Sequence, residues 1–241
     1  MDSVDFLFNH KAWYRRWWGK VILVLIALVI SFLPFYLFQL NKVYKNYKSG
    51  VYIDLDVFKE SAPYKMEDFI DPMTPWIGSE TAPIEIVEWG DFNCPFCLHS
   101  FPPLKNLLAK YPNKVKIYWK NFPGVSESSI EFAKAGHCAF LQNKFWRFHD
   151  IMFARQGQLS IGDMERVVYE SAMDIEEFNT CYAKPITEAH VRKDVADGIY
   201  GADVVGTPTF IVNGFKLQGV ITLEKWEEVI NALLPIYEKS N

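Results

Sequence analysis

Eighteen consecutive residues, Val21 to Phe38, carry no charge, and Gln39 and Leu40 extend the run to the edge of Asn41. As a helix rising 1.5 Å per residue it spans about 30 Å, the thickness of a bilayer core. A buried core helix would show a polar face, whereas only Ser31 and the two ends interrupt this one. The pattern predicts one membrane-spanning helix over 21–40, behind a stub at 1–20. From Asn41 to Pro75 the text turns polar and irregular, with scattered acids and prolines, and reads as a juxtamembrane linker.

Periodicity changes again from residue 76 onward. A turn over Ile77–Pro83 leads into Ile84–Trp89, rich in β-branched residues, and then into the loop Gly90-Asp-Phe-Asn93. Leu98, Phe101, Leu104, Leu107 and Leu108 follow at helical spacing, with Pro102 and Pro103 expected to kink or restart the helix. Tyr111-Pro-Asn-Lys114 breaks it, and Val115–Trp119 supplies a second strand, which makes a βαβ unit. From about 126 to 202 the strand signals fade. Phe132, Ala135, Ala139 and Phe140, then Val167, Val168 and Ala172, predict a helical insertion. Strands return at Thr209–Val212 and Phe215–Gln218 around the hairpin signal Asn213-Gly214. A last helix from Thr222 to Tyr237 carries the apolar stripe Leu223, Trp226, Val229, Ile230 and Leu233. The class is α/β, with the main domain over 76–241.

Charge adds an asymmetry to this layout. The net −4 conceals seven basic and two acidic residues up to Lys48, a local +5, against 18 basic and 27 acidic beyond it, a local −9. An acidic main domain argues against a nucleic-acid partner held through phosphates. Trp13, Tyr14, Trp17 and Trp18 lie among Lys11, Arg15, Arg16 and Lys20, which suits a cytoplasmic headgroup layer. Lys42, Lys45 and Lys48 follow the span, so four basic residues precede it and three come after. That bias favours an inside N-terminus and an outside domain. Phe35-Tyr-Leu-Phe-Gln39 offers no small-residue cleavage site, so an uncleaved anchor is expected.

The candidate chemistry is Cys94-Pro95-Phe96-Cys97, placed between strand and helix. A helix N-terminus stabilises a thiolate, so Cys94 is the expected nucleophile, and Cys97, one turn deeper, the resolving thiol. Other uses of such a pair fit less well. Zinc wants a second close ligand pair, but Cys138 and Cys181 stand singly, 43 residues apart. Haem attachment needs His directly after the second cysteine, where Leu98 stands, and His99 is expected to face solvent or cap the helix. No metal or cofactor is expected.

The run Ile86-Val-Glu-Trp-Gly-Asp-Phe-Asn-Cys-Pro-Phe-Cys97 resembles the active-site segment of DsbA-like thioredoxin-fold oxidoreductases. Gly206-Thr-Pro-Thr-Phe210 resembles the family's cis-proline loop, and Ala135-Gly-His-Cys-Ala139 with Lys144–Phe153 resembles its first inserted helices. The resemblance, over about Trp76 to Tyr237, implies a thioredoxin fold with an inserted helical domain. It implies that Pro208 is cis and faces the cysteines, and that an extended substrate pairs with Thr207 and meets Pro95 and Phe96. It places Glu88 at the family's buried acid, able to exchange protons with Cys97. It also implies a second, structural disulfide between Cys138 and Cys181. Phe96 departs from the family, whose strong oxidants often have His there; Phe offers no donor to a thiolate, which points to a milder oxidant.

The resulting expectation is a thiol-disulfide oxidoreductase held at the inner membrane, its domain periplasmic. It would oxidise cysteine pairs in exported proteins and be re-oxidised by a quinone-linked membrane partner. Two alternatives remain open: an isomerase or reductase of the same chemistry, and a non-enzymatic module that binds peptides or a metallochaperone partner.

Overall fold

A computed structural model describes residues 17–48, 53, 55–59 and 62–237, with side chains in the first helix described to residue 41. These residues fall into two compact units that divide between residues 49 and 50.

The first unit is a single helix, α1 (Trp17–Lys48). Its stretch Trp17–Asn41 is long and apolar enough to cross a membrane, and the large apolar side chains along it are exposed. A signal sequence would meet the same test of length and composition. The helix continues past the expected end at residue 40, because no glycine or proline occurs from Asn41 until Gly50. The flanking Lys11, Trp13, Tyr14, Arg15 and Arg16, and the side chains of Lys42, Lys45 and Lys48, lie outside the described residues.

The second unit is built on a five-stranded sheet in the order β1-β3-β2-β4-β5. The strands are β1 (Trp76–Gly78), β2 (Ile84–Gly90), β3 (Val115–Asn121), β4 (Thr209–Val212) and β5 (Phe215–Gln218). The expected βαβ unit is present: β2 and β3 pair in parallel and are joined by α2 (Pro95–Lys110). Of the expected kink or restart, the restart does not occur: α2 runs unbroken through Pro102 and Pro103. Strand β4 lies antiparallel on the other side of β2, with Glu88 opposite Phe210 and Trp89 opposite Thr209. That register carries the loop before β4 to the end of β2, where the cysteines begin. Asn213 and Gly214 both take positive φ in the β4–β5 hairpin, as its two-residue turn requires.

Alternation along β2 sorts its side chains. Ile84 and Ile86 pack with Leu104, Leu107, Phe210 and Trp226 under α2 and α8 (Leu223–Tyr237). Val87 and Trp89 pack on the opposite face with Phe69, Tyr118 and Ile211. Strand β1 is an addition to the sequence reading, which ran these residues into a turn. The segment read as a linker up to residue 75 is also revised. Phe58 packs edge-on against Phe215, with ring centroids 5.0 Å apart, and Phe69 against Trp89 at 5.1 Å. These two aromatic anchors bind an otherwise polar stretch to the domain.

Between β3 and β4 lie α3 (Ser129–Leu141), α4 (Phe145–Ala154), α5 (Met164–Glu170), α6 (Ile175–Tyr182) and α7 (Pro185–Ala196). A π turn, Asp197–Gly201, ends α7. Its Gly198 sits so close to Trp89 that a Cβ would come within 2.9 Å of the indole nitrogen. Lys120 on β3, fully buried, is neutralised by Asp194 at 2.7 Å and Asp197 at 2.8 Å, which fastens the insertion to the sheet. Cys138 on α3 and Cys181 on α6 form a disulfide that closes a loop across 43 residues. Replacing both by alanine is expected to lower stability by about 4 kcal/mol through the added freedom of the unfolded loop. Urea unfolding of the two proteins in detergent would measure the difference.

Candidate active site

Cys94 is the N-cap of α2, in extended backbone, and Pro95 at the first helical position fits because that residue needs no N–H. The loop ahead of it is held by the carboxylate of Asp91, which is buried. One oxygen accepts the Asn93 N–H at 2.8 Å; the other accepts the N–H groups of Gly124 and Val125, each at 2.9 Å. From the end of α4, Gln156 donates to the carbonyls of Phe92 and Cys94, both at 2.9 Å. Phe92 stacks on Trp119 at 5.1 Å and anchors the loop from below. The turn sequence Gly90-Asp-Phe-Asn made an Asp91 turn bond foreseeable. Gln156 gives no local signal, because its partners lie more than 60 residues away.

The structure brings most of the sequence-predicted residues together. Thr207–Pro208 is a cis peptide bond, and the Cys94 thiol donates to the Thr207 carbonyl at 3.4 Å. Cys94 and Cys97 are both free thiols and both buried, while Pro95 and Phe96 between them are exposed. His99 is exposed, as expected of a solvent-facing side chain. Glu88, on the β2 face covered by α2, is only 5% exposed and lines the same cavity as Cys97. The Cys138–Cys181 bond belongs to the insertion. Among the described residues no cluster of His, Cys, Asp or Glu has the arrangement of a metal site.

The electrostatics divide the two thiols. A hydrogen bond from Cys97, assisted by the Thr207 side chain and the N–H groups of Phe96 and Cys97, pulls the Cys94 thiol down to about 6 against the cost of burial. Burial pushes Cys97 well above the ordinary thiol range, and the neighbouring Cys94 and Glu88 push it the same way. Glu88 is raised to about 8, chiefly by burial and secondarily by the charge of Cys94. Burial and hydrogen bonding therefore drive the two thiols apart, Cys94 toward the thiolate and Cys97 toward the protonated form, with the raised Glu88 carboxyl lining the same cavity as Cys97.

A family model described as thioredoxin matches residues 71–232. The chain belongs to the thioredoxin family. Its fold is shared with a thioredoxin-like oxidoreductase from Silicibacter pomeroyi, at TM-score 0.64 and 24% identity over 69% of this chain and 96% of that one. The thiol-disulfide exchange protein alpha-DsbA2 of Wolbachia pipientis gives 0.63 and 20%, covering 69% and 90%. Oxidised BdbD of Bacillus subtilis gives 0.61 and 22%, covering 68% and 94%. The expected DsbA-like architecture is thus met at the level of fold. Among curated proteins, Na(+)/H(+) antiporter NhaA 1 of Salinispora arenicola is 33% identical over 149 residues, 61% of this chain and 22% of the antiporter. NhaA 1 of Mycolicibacterium vanbaalenii is 31% identical over 145 residues, 59% and 24% respectively. The chain spans less than a quarter of the length of these two relatives, and the antiporter name describes those proteins.

Proposed function

We propose that this thioredoxin-family chain is a thiol-disulfide oxidoreductase that passes the Cys94–Cys97 disulfide to cysteine pairs in exported proteins. The observation that carries the reading is the placing of Cys94 on the N-cap of α2 against Thr207 of the cis-proline loop, a setting that pulls its thiol down to about 6. Stabilising the thiolate stabilises the reduced pair, and a pair stable when reduced is oxidising when it carries the disulfide. Phe96 supplies no donor, but Cys97, Thr207 and the backbone do. In the oxidising step a client thiolate attacks Cys94 Sγ and expels Cys97, which takes a proton from Glu88. A second client thiolate then closes the client's disulfide and releases Cys94. Thr207 is proposed to pair with an extended client backbone, with Pro95 and Phe96 meeting its side chains. The exposed apolar surfaces of Phe96 and Val205 support an unfolded client.

The same reading makes α1 a single-pass anchor in the inner membrane, with the domain periplasmic and a quinone-linked membrane protein re-oxidising it. The apolar length of α1 and the basic bias ahead of it support this. The deciding experiment equilibrates the full chain in detergent with glutathione buffers and then offers it a reduced, unfolded four-cysteine protein. An oxidant is expected near −120 to −180 mV, roughly the range of known oxidising members, with client thiols lost in step with Cys94–Cys97 reduction. A potential of about −270 mV, that of a reducing thioredoxin, would reverse the direction.

A further inference from the structure

Behind the cysteines lies a cavity of about 80 Å³, whose polar lining is Glu88, Cys97, Lys105, His149 and Asp150. An enclosed water needs about 10–15 Å³ and several polar partners, so the cavity has room for water beside these polar groups. Its inner end is Cys97 and Glu88, both buried. Its outer end is the ion pair of Lys105 with Asp150, 2.6 Å long and open to solvent. His149 lines the same cavity between them: its ring is buried, yet Nδ1 lies 3.3 Å from Asp150 Oδ1. We propose that this cavity is the proton outlet of the site, along which the proton of Cys97 passes by way of Glu88, enclosed water and the His149 ring to Asp150 and solvent. The proposal deepens the disulfide-exchange reading and rests on it.

Three observations converge on the ring. First, His149 is caged by aromatic groups, with Phe153, Trp119 and Phe101 at 4.8, 5.0 and 5.4 Å between centroids, a setting where phenylalanine would pack as well without a polar cost. Second, burial holds the ring below its ordinary pKa and so neutral. A neutral imidazole has one donor and one acceptor nitrogen, so it takes a proton at one and gives it up at the other. Third, β1 and β3 contribute the apolar Ile77 and Ile117 to the remaining walls. The titratable groups facing the cavity are Glu88 on β2, Cys97 and Lys105 on α2, and Asp150 beside His149 on α4.

The outlet matters most when Cys97 resolves a mixed disulfide. The Cys94 thiolate attacks a disulfide RSSR, forms Cys94–S–S–R and releases one RS⁻. Glu88 must then be a carboxylate to accept the Cys97 proton, yet near neutral pH it holds one already. That proton has to leave first. Cys97 then gives its own to Glu88, attacks Cys94 Sγ, closes the ring disulfide and expels the second RS⁻. The oxidising direction runs the same proton inward.

The test uses the reduced full chain in detergent with Ellman's reagent, whose coloured thiolate reports each release separately. For His149→Phe we expect the first release within twofold of wild type, the second slowed about tenfold or more, and a larger solvent deuterium isotope effect on the second. Should that variant not fold, Leu108→Phe, which fills the cavity from α2, carries the same expectation. A second release unchanged in whichever variant folds overturns the outlet. A wild-type chain that never gives the second release overturns the exchange reading instead.

Discussion

Cys94→Ser is expected to lower the rate of client oxidation by roughly 10⁴-fold or more, the scale of losing a catalytic nucleophile. A serine hydroxyl does not ionise near neutral pH, so none of the hydrogen bonds that lower the Cys94 thiol to about 6 has a charge to stabilise. Cys97→Ser separates the steps. Cys94 keeps its place at the N-cap and still attacks, but nothing resolves the product, so mixed disulfides with clients accumulate and appear as mass-shifted species on non-reducing gels. The alkylation rate of Cys94 in the reduced protein should reach half its maximum near pH 6, because the thiolate is the reactive form. A Cys94→Ser protein with full activity would refute the mechanism, and a half-maximum above pH 8 would remove the basis for the oxidising direction.

Local patterns made much of this site legible. The strand-to-helix setting of Cys94, the Asn213-Gly214 hairpin and the stripe on α8 each depend on neighbours in sequence, and each is found where its pattern placed it. Contacts with distant partners were opaque. Lys116 and Lys120 give β3 an amphipathic look, yet both are buried: Lys116 over the Trp76 ring at 4.2 Å, Lys120 between Asp194 and Asp197. Gln156 falls in the helical insertion without any signal of its own, and the end of α4 brings it to the carbonyls of Phe92 and Cys94. Strand β1 is three residues long, too short for alternation to declare it. Phe96 carries no donor, and the groups that lower the Cys94 thiol, Cys97, Thr207 and the N–H groups of Phe96 and Cys97, include a partner more than 100 residues away that no local pattern announces.

The second large effect concerns Glu88, whose burial is costly to the fold as well as useful to the chemistry. Below pH 4.5 the carboxyl is protonated both folded and unfolded, so it leaves stability untouched. As pH rises, the unfolded chain releases the proton while the folded protein keeps it up to about 8. Each pH unit in that window removes about 1.4 kcal/mol, which sets an upper bound on the order of 4–5 kcal/mol by pH 8.5. Glu88→Gln cannot ionise and escapes that loss. Its thermal midpoint, whatever the difference at pH 4.5, is expected to gain on wild type by roughly 10 °C between pH 4.5 and 8.5 in the reduced protein. A gap that stays constant with pH would mean that Glu88 is not held neutral by burial. The same variant should be slowed about 100-fold when Cys97 must lose its proton, since an amide cannot take it up. A gain in stability at alkaline pH coupled to a loss of rate distinguishes a proton-exchanging carboxyl from a structural one, because removing a purely structural buried acid would leave Cys97 as reactive as before.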